Sequence, residues 1–203
     1  MKQTGVVLLA AGSAERYGHD KRLAAVTVAT ASDKSHAVAA EPMLLASIRT
    51  VRASGMPFIV VLRSGDLQWE QELDAMGVDW TTCPEAHKGM GYSLAAGVHA
   101  TQHWDGWLIA MADMPFIHPA TFQTLAESLN QHDRVRPVFV CPESGKLRGG
   151  HPLAFGKSCA FALMQCAGDE DAITALLSPP NKVHDIICAD SGIIRDVDLP
   201  GDH

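Results

Sequence analysis

Aromatic side chains are scarce in this sequence: tryptophan, tyrosine and phenylalanine together make up 6% of 203 residues. Basic side chains are in deficit as well, 16 against 23 acidic ones, for a formal net charge of -7. A surface that grips nucleic acid non-specifically needs a basic stripe, and none of any length is present, so no nucleic-acid partner is expected. No apolar run approaches the roughly eighteen residues of a membrane span, which argues against a membrane partner. The opening MKQTGVVLLAAG passes from a short apolar run directly into patterned sequence, and reads as a first core strand rather than a signal peptide. The cysteines are odd in number and scattered (Cys83, Cys141, Cys159, Cys166 and Cys188) with no CxxC spacing. Neither a zinc knuckle nor a disulfide framework is indicated, and free thiols in a reducing cytoplasm fit best. Internal repeats and low-complexity tracts are also missing.

What is present is enough apolar sequence, 47% of residues, to bury a substantial core in one domain spanning residues 1–203. Short apolar runs alternate with helix-like stretches. Val6–Ala10, Phe58–Leu62, Trp107–Met111 and Val138–Val140 read as strands, with a short one at Val78–Thr81. Helices are expected over Pro42–Arg52, over Leu67–Met76 with Asp66 as cap and Gly77 as stop, over Met90–Ala100, and from His118 to about Leu129. Such a βαβαβαβ order predicts an α/β fold: helices on both faces of a mostly parallel central sheet, joined by right-handed crossovers. Residues 25–40 look like a hairpin or a loop, and residues 141–156, rich in turn formers, look like an excursion from the sheet. A last helix is expected over Asp169–Leu177, followed by strand-like Val183–Ile187 and Ile193–Asp198.

Several residues have the chemistry to bind or react. LLAAGSAERYGHDK (Leu8–Lys21) runs from a strand into a turn of small residues, followed by Arg16 and Lys21. Backbone N–H groups in such a turn can face phosphate oxygens, Arg16 can fork onto them, and Lys21 supplies a compact charge. The alternative is a solvated basic pair beside an ordinary loop. The segment matches neither GxxxxGK[ST] nor GxGxxG, which argues against a P-loop kinase and a dinucleotide fold. Asp113 stands at the carboxyl end of a central strand, where a carboxylate can hold Mg²⁺ against polyphosphate, or merely cap a turn. Asp196 and Asp198 share a face on strand alternation, which makes Asp198 a second possible metal ligand or part of a solvated tail. Gly89–Ser93 (GMGYS) enters a helix with Ser93 and backbone N–H groups available. His151, in the Gly149–Pro152 turn GGHP, is a candidate substrate contact, though it has no triad partner in view.

Taken together, these stretches are similar to MobA-like nucleotidyltransferases. LAAG (Leu9–Gly12) with Arg16, Gly18 and Lys21, then EPML (Glu41–Leu44), GMGYSL (Gly89–Leu94), MADMP (Met111–Pro115), RGGHP (Arg148–Pro152), Gly168-Asp169 and DVDLP (Asp196–Pro200) occur in the family's order over nearly the whole chain. Within the superfamily the sequence most resembles the molybdenum cofactor cytidylyltransferase branch. The resemblance implies a three-layer Rossmann-like nucleotidyltransferase fold and transfer of a nucleotidyl group, CMP from CTP, to molybdopterin or its molybdenum-bound form, with release of pyrophosphate. It implies that Leu9, Ala10, Ala11 and Gly12 receive the base and phosphates, and that Arg16 and Lys21 contact the triphosphate. Asp113, with Asp198, would bind Mg²⁺. Gly89 and Ser93 would lie near base or ribose, and His151 near the acceptor. A molybdoenzyme or its chaperone is the implied protein partner. The spelling Ala10-Ala11-Gly12, with two alanines before the glycine, resembles the pyrimidine-using members.

The acceptor half departs from the family pattern. GDEDAI (Gly168–Ile173) places acid and isoleucine where a cation is common, Gly91-Tyr92 replaces a serine pair, and residues 25–40 lengthen the first connection. A sugar- or polyol-phosphate nucleotidyltransferase is therefore the second reading. A non-catalytic nucleotide-binding regulator or assembly factor is the third.

Overall fold

The computed structural model describes residues 3–12, 20–28, 40–168 and 182–197. Strand β1 (Thr4–Leu9) has no polar face: Val6, Leu8 and Ala10 pack into one core, and Val7, Leu9 and Ala11 into another. A run that is apolar at every position suits a strand covered on both sides. Its neighbours β4 (Phe58–Arg63) and β6 (Gly106–Met111) are both parallel to it, placing Leu9 between Val61 and Met111. Beyond β4 lies β5 (Trp80–Cys83). Beyond β6 come β9 (Leu153–Gly156), β7 (Arg134–Val140) and β10 (His184–Cys188), with β8 (Leu147–Gly149) paired to β7, making a sheet of 8 strands. Among the described strands only β8 and β9 run antiparallel to their neighbours in it. The mostly parallel α/β architecture is thus the one expected.

Helices α1 (Met43–Ala53), α2 (Leu67–Ala75) and α4 (Pro119–Ser128) cover the Val6 face with Leu44, Ile48, Val51, Trp69, Leu73, Phe122 and Leu125. The Val7 face is covered by α3 (Met90–Ala100) and α5 (Ala160–Met164) through Leu94, Val98 and Leu163. Helix α3 lies very close to the sheet at Gly97, where a Cβ atom would stand 2.3 Å from Val7 Cγ1 and 2.9 Å from Val61 Cγ2. Gly97→Ala should therefore destabilise the protein by about 1–3 kcal/mol despite alanine's better helix propensity. A thermal melt checks this; an unchanged or raised Tm would show that the helix–sheet gap has room.

Some expected elements differ from those observed. Residues 141–156 do not leave the sheet: β8 pairs with β7 at Val138–Val140, on the side opposite β10, and β9 fills the gap between β6 and β7. The described part of the expected Ile193–Asp198 strand, Ile193–Val197, is not a strand. Asp190 accepts from the Gly192 N–H at 2.9 Å and turns Ser191–Ile194 into a 3-10 helix. Asp66 makes no side-chain cap on α2, because its carboxylate accepts from Arg22 and Arg63 instead. The short strand near Val78 lies slightly later, at Trp80–Cys83, and β7 begins at Arg134, four residues before the expected Val138. The 25–40 segment is anchored by an antiparallel pairing of β2 (Ala25–Val26) with β3 (Glu41–Pro42). Its residues 29–39, and the expected helix Asp169–Leu177, fall outside the described residues. Among the described residues no helix is long and apolar enough to cross a membrane.

Candidate active site

The chain leaves β1 for β4 on one side, and later reaches β6 on the other. The carboxyl ends of β1 and β6 therefore flank the kind of switch point at which open α/β sheets bind ligands. Main-chain bonds carry the pairing past the strand ends: Ala10 N–H donates to Val61 O (2.9 Å) and Ala112 N–H to Leu9 O (3.0 Å). Asp113 follows directly. Two buried hydroxyls on α1 hold the backbone around it, Ser47 Oγ donating to Ala112 O (2.7 Å) and Thr50 Oγ1 to Pro115 O (3.1 Å). The Asp113 carbonyl itself accepts from Val197 N–H at 2.9 Å.

Opposite stands Lys21, the first residue of a 3-10 turn, Lys21–Leu23. Its Nζ lies 3.0 Å from Asp113 Oδ2. This pair opens onto a cavity of about 420 Å³, also lined by Leu9, Ala10, Ala11, Gly12, Met43, Gly89, Met90, Ser93 and Met111. Gly89, Met90 and Ser93 place the first turn of α3 at the wall. Gly89 precedes that helix at a φ of 132°, which a side chain would disfavour. A helix amino terminus and an ammonium group facing one cavity favour an anionic ligand. A larger cleft, about 590 Å³, opens beside Gln3, Phe58, Trp80 and Trp104. It lies at the amino ends of the strands and contains none of the residues singled out by motif, so the smaller cavity is the better site.

Leu9, Ala10, Ala11, Gly12, Lys21, Gly89, Ser93 and Asp113 are thus brought together from four separate stretches of sequence. His151 is not among the lining residues. Its main-chain N–H donates to Ile193 O (2.9 Å), and its ring Nδ1 is buried with no hydrogen-bond partner among the described residues. Burial pushes its pKa down, with the Ile109 carbonyl and the Asp113 carboxylate pulling the other way. Arg16 and Asp198 lie outside the described residues; Asp198 directly follows Val197, whose N–H is bonded to Asp113.

The wall is completed by Asp20, Arg22, Ala86 and His87, which the sequence analysis did not single out, and by Met43, Met90, Met111 and Ala112, which lie within the quoted motifs but were given no role. Asp20 and Arg22 flank Lys21 in the sequence, and that Asp-Lys-Arg cluster was the available signal. Burial pushes the Asp20 carboxyl up, but hydrogen bonds and charge from Arg22 outweigh it and hold the group at about 2. Asp66 is also lowered: burial opposes the shift, and Arg22 and Arg63 outweigh it.

Could this donor set hold a metal? Among the described residues no group of three or more His, Cys, Asp or Glu side chains converges. Mg²⁺ does not require one. It commonly takes one or two carboxylates and completes its shell with water and substrate phosphates. Asp113, 28% exposed at the cavity, suits that role.

No curated protein matches the chain significantly. Solved structures do. Rv0371c from Mycobacterium tuberculosis shares 20% identity over 100% of this chain and 96% of its own, at a TM-score of 0.71. Bifunctional IspDF from Campylobacter jejuni shares 12% identity over 97% of this chain and 52% of its own, at 0.72. Molybdopterin-guanine dinucleotide biosynthesis protein A from Archaeoglobus fulgidus shares 17% identity over 98% of this chain and 94% of its own, at 0.61. At these identities the likeness establishes the fold. The family model described as the MobA-like NTP transferase domain matches residues 6–183, and the chain, with its small-residue turn facing a lysine–aspartate pair across two strand ends, belongs to that family.

Proposed function

We propose that this MobA-like nucleotidyltransferase moves CMP from CTP onto the phosphate of molybdopterin or its molybdenum-bound form, releasing pyrophosphate. The observation that carries the reading is the placement of Lys21 Nζ 3.0 Å from Asp113 Oδ2, within the cavity lined by Ala10–Gly12 and the first turn of α3. In the reaction an oxygen of the acceptor phosphate bonds to the α-phosphorus of CTP, and the bond from that phosphorus to the bridging oxygen of the β-phosphate breaks. An acceptor phosphate is ionised at neutral pH, so no general base is needed to make it nucleophilic. Lys21, joined by Arg16, offsets the charge gathering on the departing pyrophosphate. Asp113, with Asp198, would hold Mg²⁺, which supplies charge neutralisation and alignment of the reacting oxygens. The backbone of Ala10–Gly12 and the Gly89–Ser93 turn would orient the nucleotide, and the His151 loop would approach the acceptor.

The pyrimidine preference rests on the Ala10-Ala11-Gly12 spelling, and the acceptor on motif order. The GDEDAI departure favours a second reading, in which a sugar or polyol phosphate is the acceptor. A panel of CTP, GTP, UTP and ATP with Mg²⁺, crossed with molybdopterin and sugar phosphates and scored by pyrophosphate release, tests both. Turnover is expected with CTP and molybdopterin. Turnover only with a sugar phosphate would sink the first reading, and none with any pair would favour a non-catalytic nucleotide-binding role.

A further inference from the structure

Arg22 is the one charged residue, among those described, that is buried: its relative exposure is 5%. Every arm of its guanidinium is engaged. Nε and Nη2 form a fork onto the Asp20 carboxylate (2.8 and 2.7 Å), while Nη1 donates to Asp66 Oδ2 (2.5 Å) and to the main-chain carbonyl of Ala10 (3.1 Å). The cation lies 5.6 Å from the centre of the Trp69 ring, whose Nε1 donates to Asp20 Oδ2 at 3.3 Å. Arg63 flanks the far side of Asp66, with Nη2 3.3 Å from Oδ1.

Burying a guanidinium between two carboxylates adds little net stability, since desolvation offsets most of the attraction. Its value lies in what it connects. Ala10 is where β1 gives way to the small-residue turn, and its N–H is already bonded to Val61 O. Arg22 takes its carbonyl, so both polar groups of this residue's main chain are held. Asp66 belongs to the loop between β4 and α2, and Asp20 opens the 3-10 turn on which Lys21 sits, with its carboxylate also accepting from Arg22 N–H (3.1 Å). One side chain therefore joins the end of β1, the end of β4 and the turn carrying the lysine. The base of Lys21 is pinned while its long stem leaves Nζ able to reach either Asp113 or a phosphate.

We propose that Arg22 is a positioning residue: clamped by Asp20 and Asp66, it holds the Lys21 turn against the end of β1 and so sets the reach of the Lys21 ammonium. This rests on the reading of Lys21 as the triphosphate contact. The fork is the feature that matters, and lysine cannot reproduce its geometry.

The test is a double-mutant cycle on the full chain, using Arg22→Lys, Lys21→Met and both together, with Asp66→Asn as a second, volume-conserving way to loosen the clamp. Arg22→Lys and Asp66→Asn should each lower kcat by about 10- to 100-fold, the scale of a small misplacement of a reacting group, with KM for CTP changing far less. In the Lys21→Met background, Arg22→Lys should cost less than about 2-fold further, because its effect passes through Lys21. Equal losses from Arg22→Lys in both backgrounds would overturn the proposal, and so would wild-type kcat in both clamp variants. If Lys21→Met alone keeps wild-type kcat and KM, the site reading fails first, an outcome distinct from failure of the clamp.

Discussion

Replacing Asp113 by alanine is expected to lower kcat by about 10³-fold, corresponding to roughly 4 kcal/mol of transition-state stabilisation, while moving Tm by no more than a few degrees. The two halves of this expectation rest on different atoms. The side chain supplies the carboxylate that faces the cavity, and its pairing with Lys21 is partly solvated, with exposures of 18% and 28% for the two side chains. Such a pair contributes about 0–1 kcal/mol to folding. What holds the loop is main chain: the carbonyls of Ala112, Asp113 and Pro115 accept from Ser47, Val197 and Thr50, and alanine leaves all three bonds in place. Asp113→Asn should show the same separation. Pyrophosphate release at saturating CTP and Mg²⁺, alongside a thermal melt, measures both halves. Wild-type kcat in either variant would remove Asp113 from the reaction.

The residues of this site were legible wherever chemistry coincided with the end of a strong strand. Val6–Leu9 and Trp107–Met111 are apolar at every position, so their burial and direction follow from pattern, and Gly12, Lys21 and Asp113 follow from where those strands stop. Segments whose fate depends on a distant partner were harder to read. Leu153–Gly156 is short and sits among turn formers, and nothing local reveals that it fills the space between β6 and β7. The alternation in Ile194–Asp198 imitates a strand, but just before it the Asp190 carboxylate takes Gly192 N–H, His118 N–H and the Thr121 hydroxyl, tying the Asp190–Gly192 turn to the start of α4. Asp66 stands where a cap should, yet an arginine distant in sequence claims it. Arg22 itself looks like one more charge beside Lys21. Only the fold shows that two neighbouring cations have opposite situations, one buried against carboxylates and one reaching into the cavity.

That contrast makes Lys21 the second position of large effect. Lys21→Met should lower kcat with CTP by about 10²- to 10³-fold, the scale of losing a preorganised charge aimed at a developing anion. The same substitution should act in the opposite direction on metal binding. Lys21 Nζ sits 3.0 Å from Asp113 Oδ2, so its positive charge opposes a second cation at that carboxylate. Repulsion at partly solvated separations amounts to roughly 1 kcal/mol, hence about a 5-fold gain in Mn²⁺ affinity for the nucleotide-free variant, measurable by calorimetry or electron paramagnetic resonance. With CTP present the gain should vanish or reverse, since the triphosphate brings its own oxygens to the metal and in the parent protein draws the ammonium toward itself. Lys21→Arg keeps the charge and should bind Mn²⁺ like the parent while still losing rate, because a planar fork replaces a point charge. Lost turnover with unchanged nucleotide-free Mn²⁺ affinity would mean that Lys21 serves the phosphates but does not guard the carboxylate. Unchanged turnover would mean that the small-residue turn and the α3 amino terminus hold the triphosphate without it.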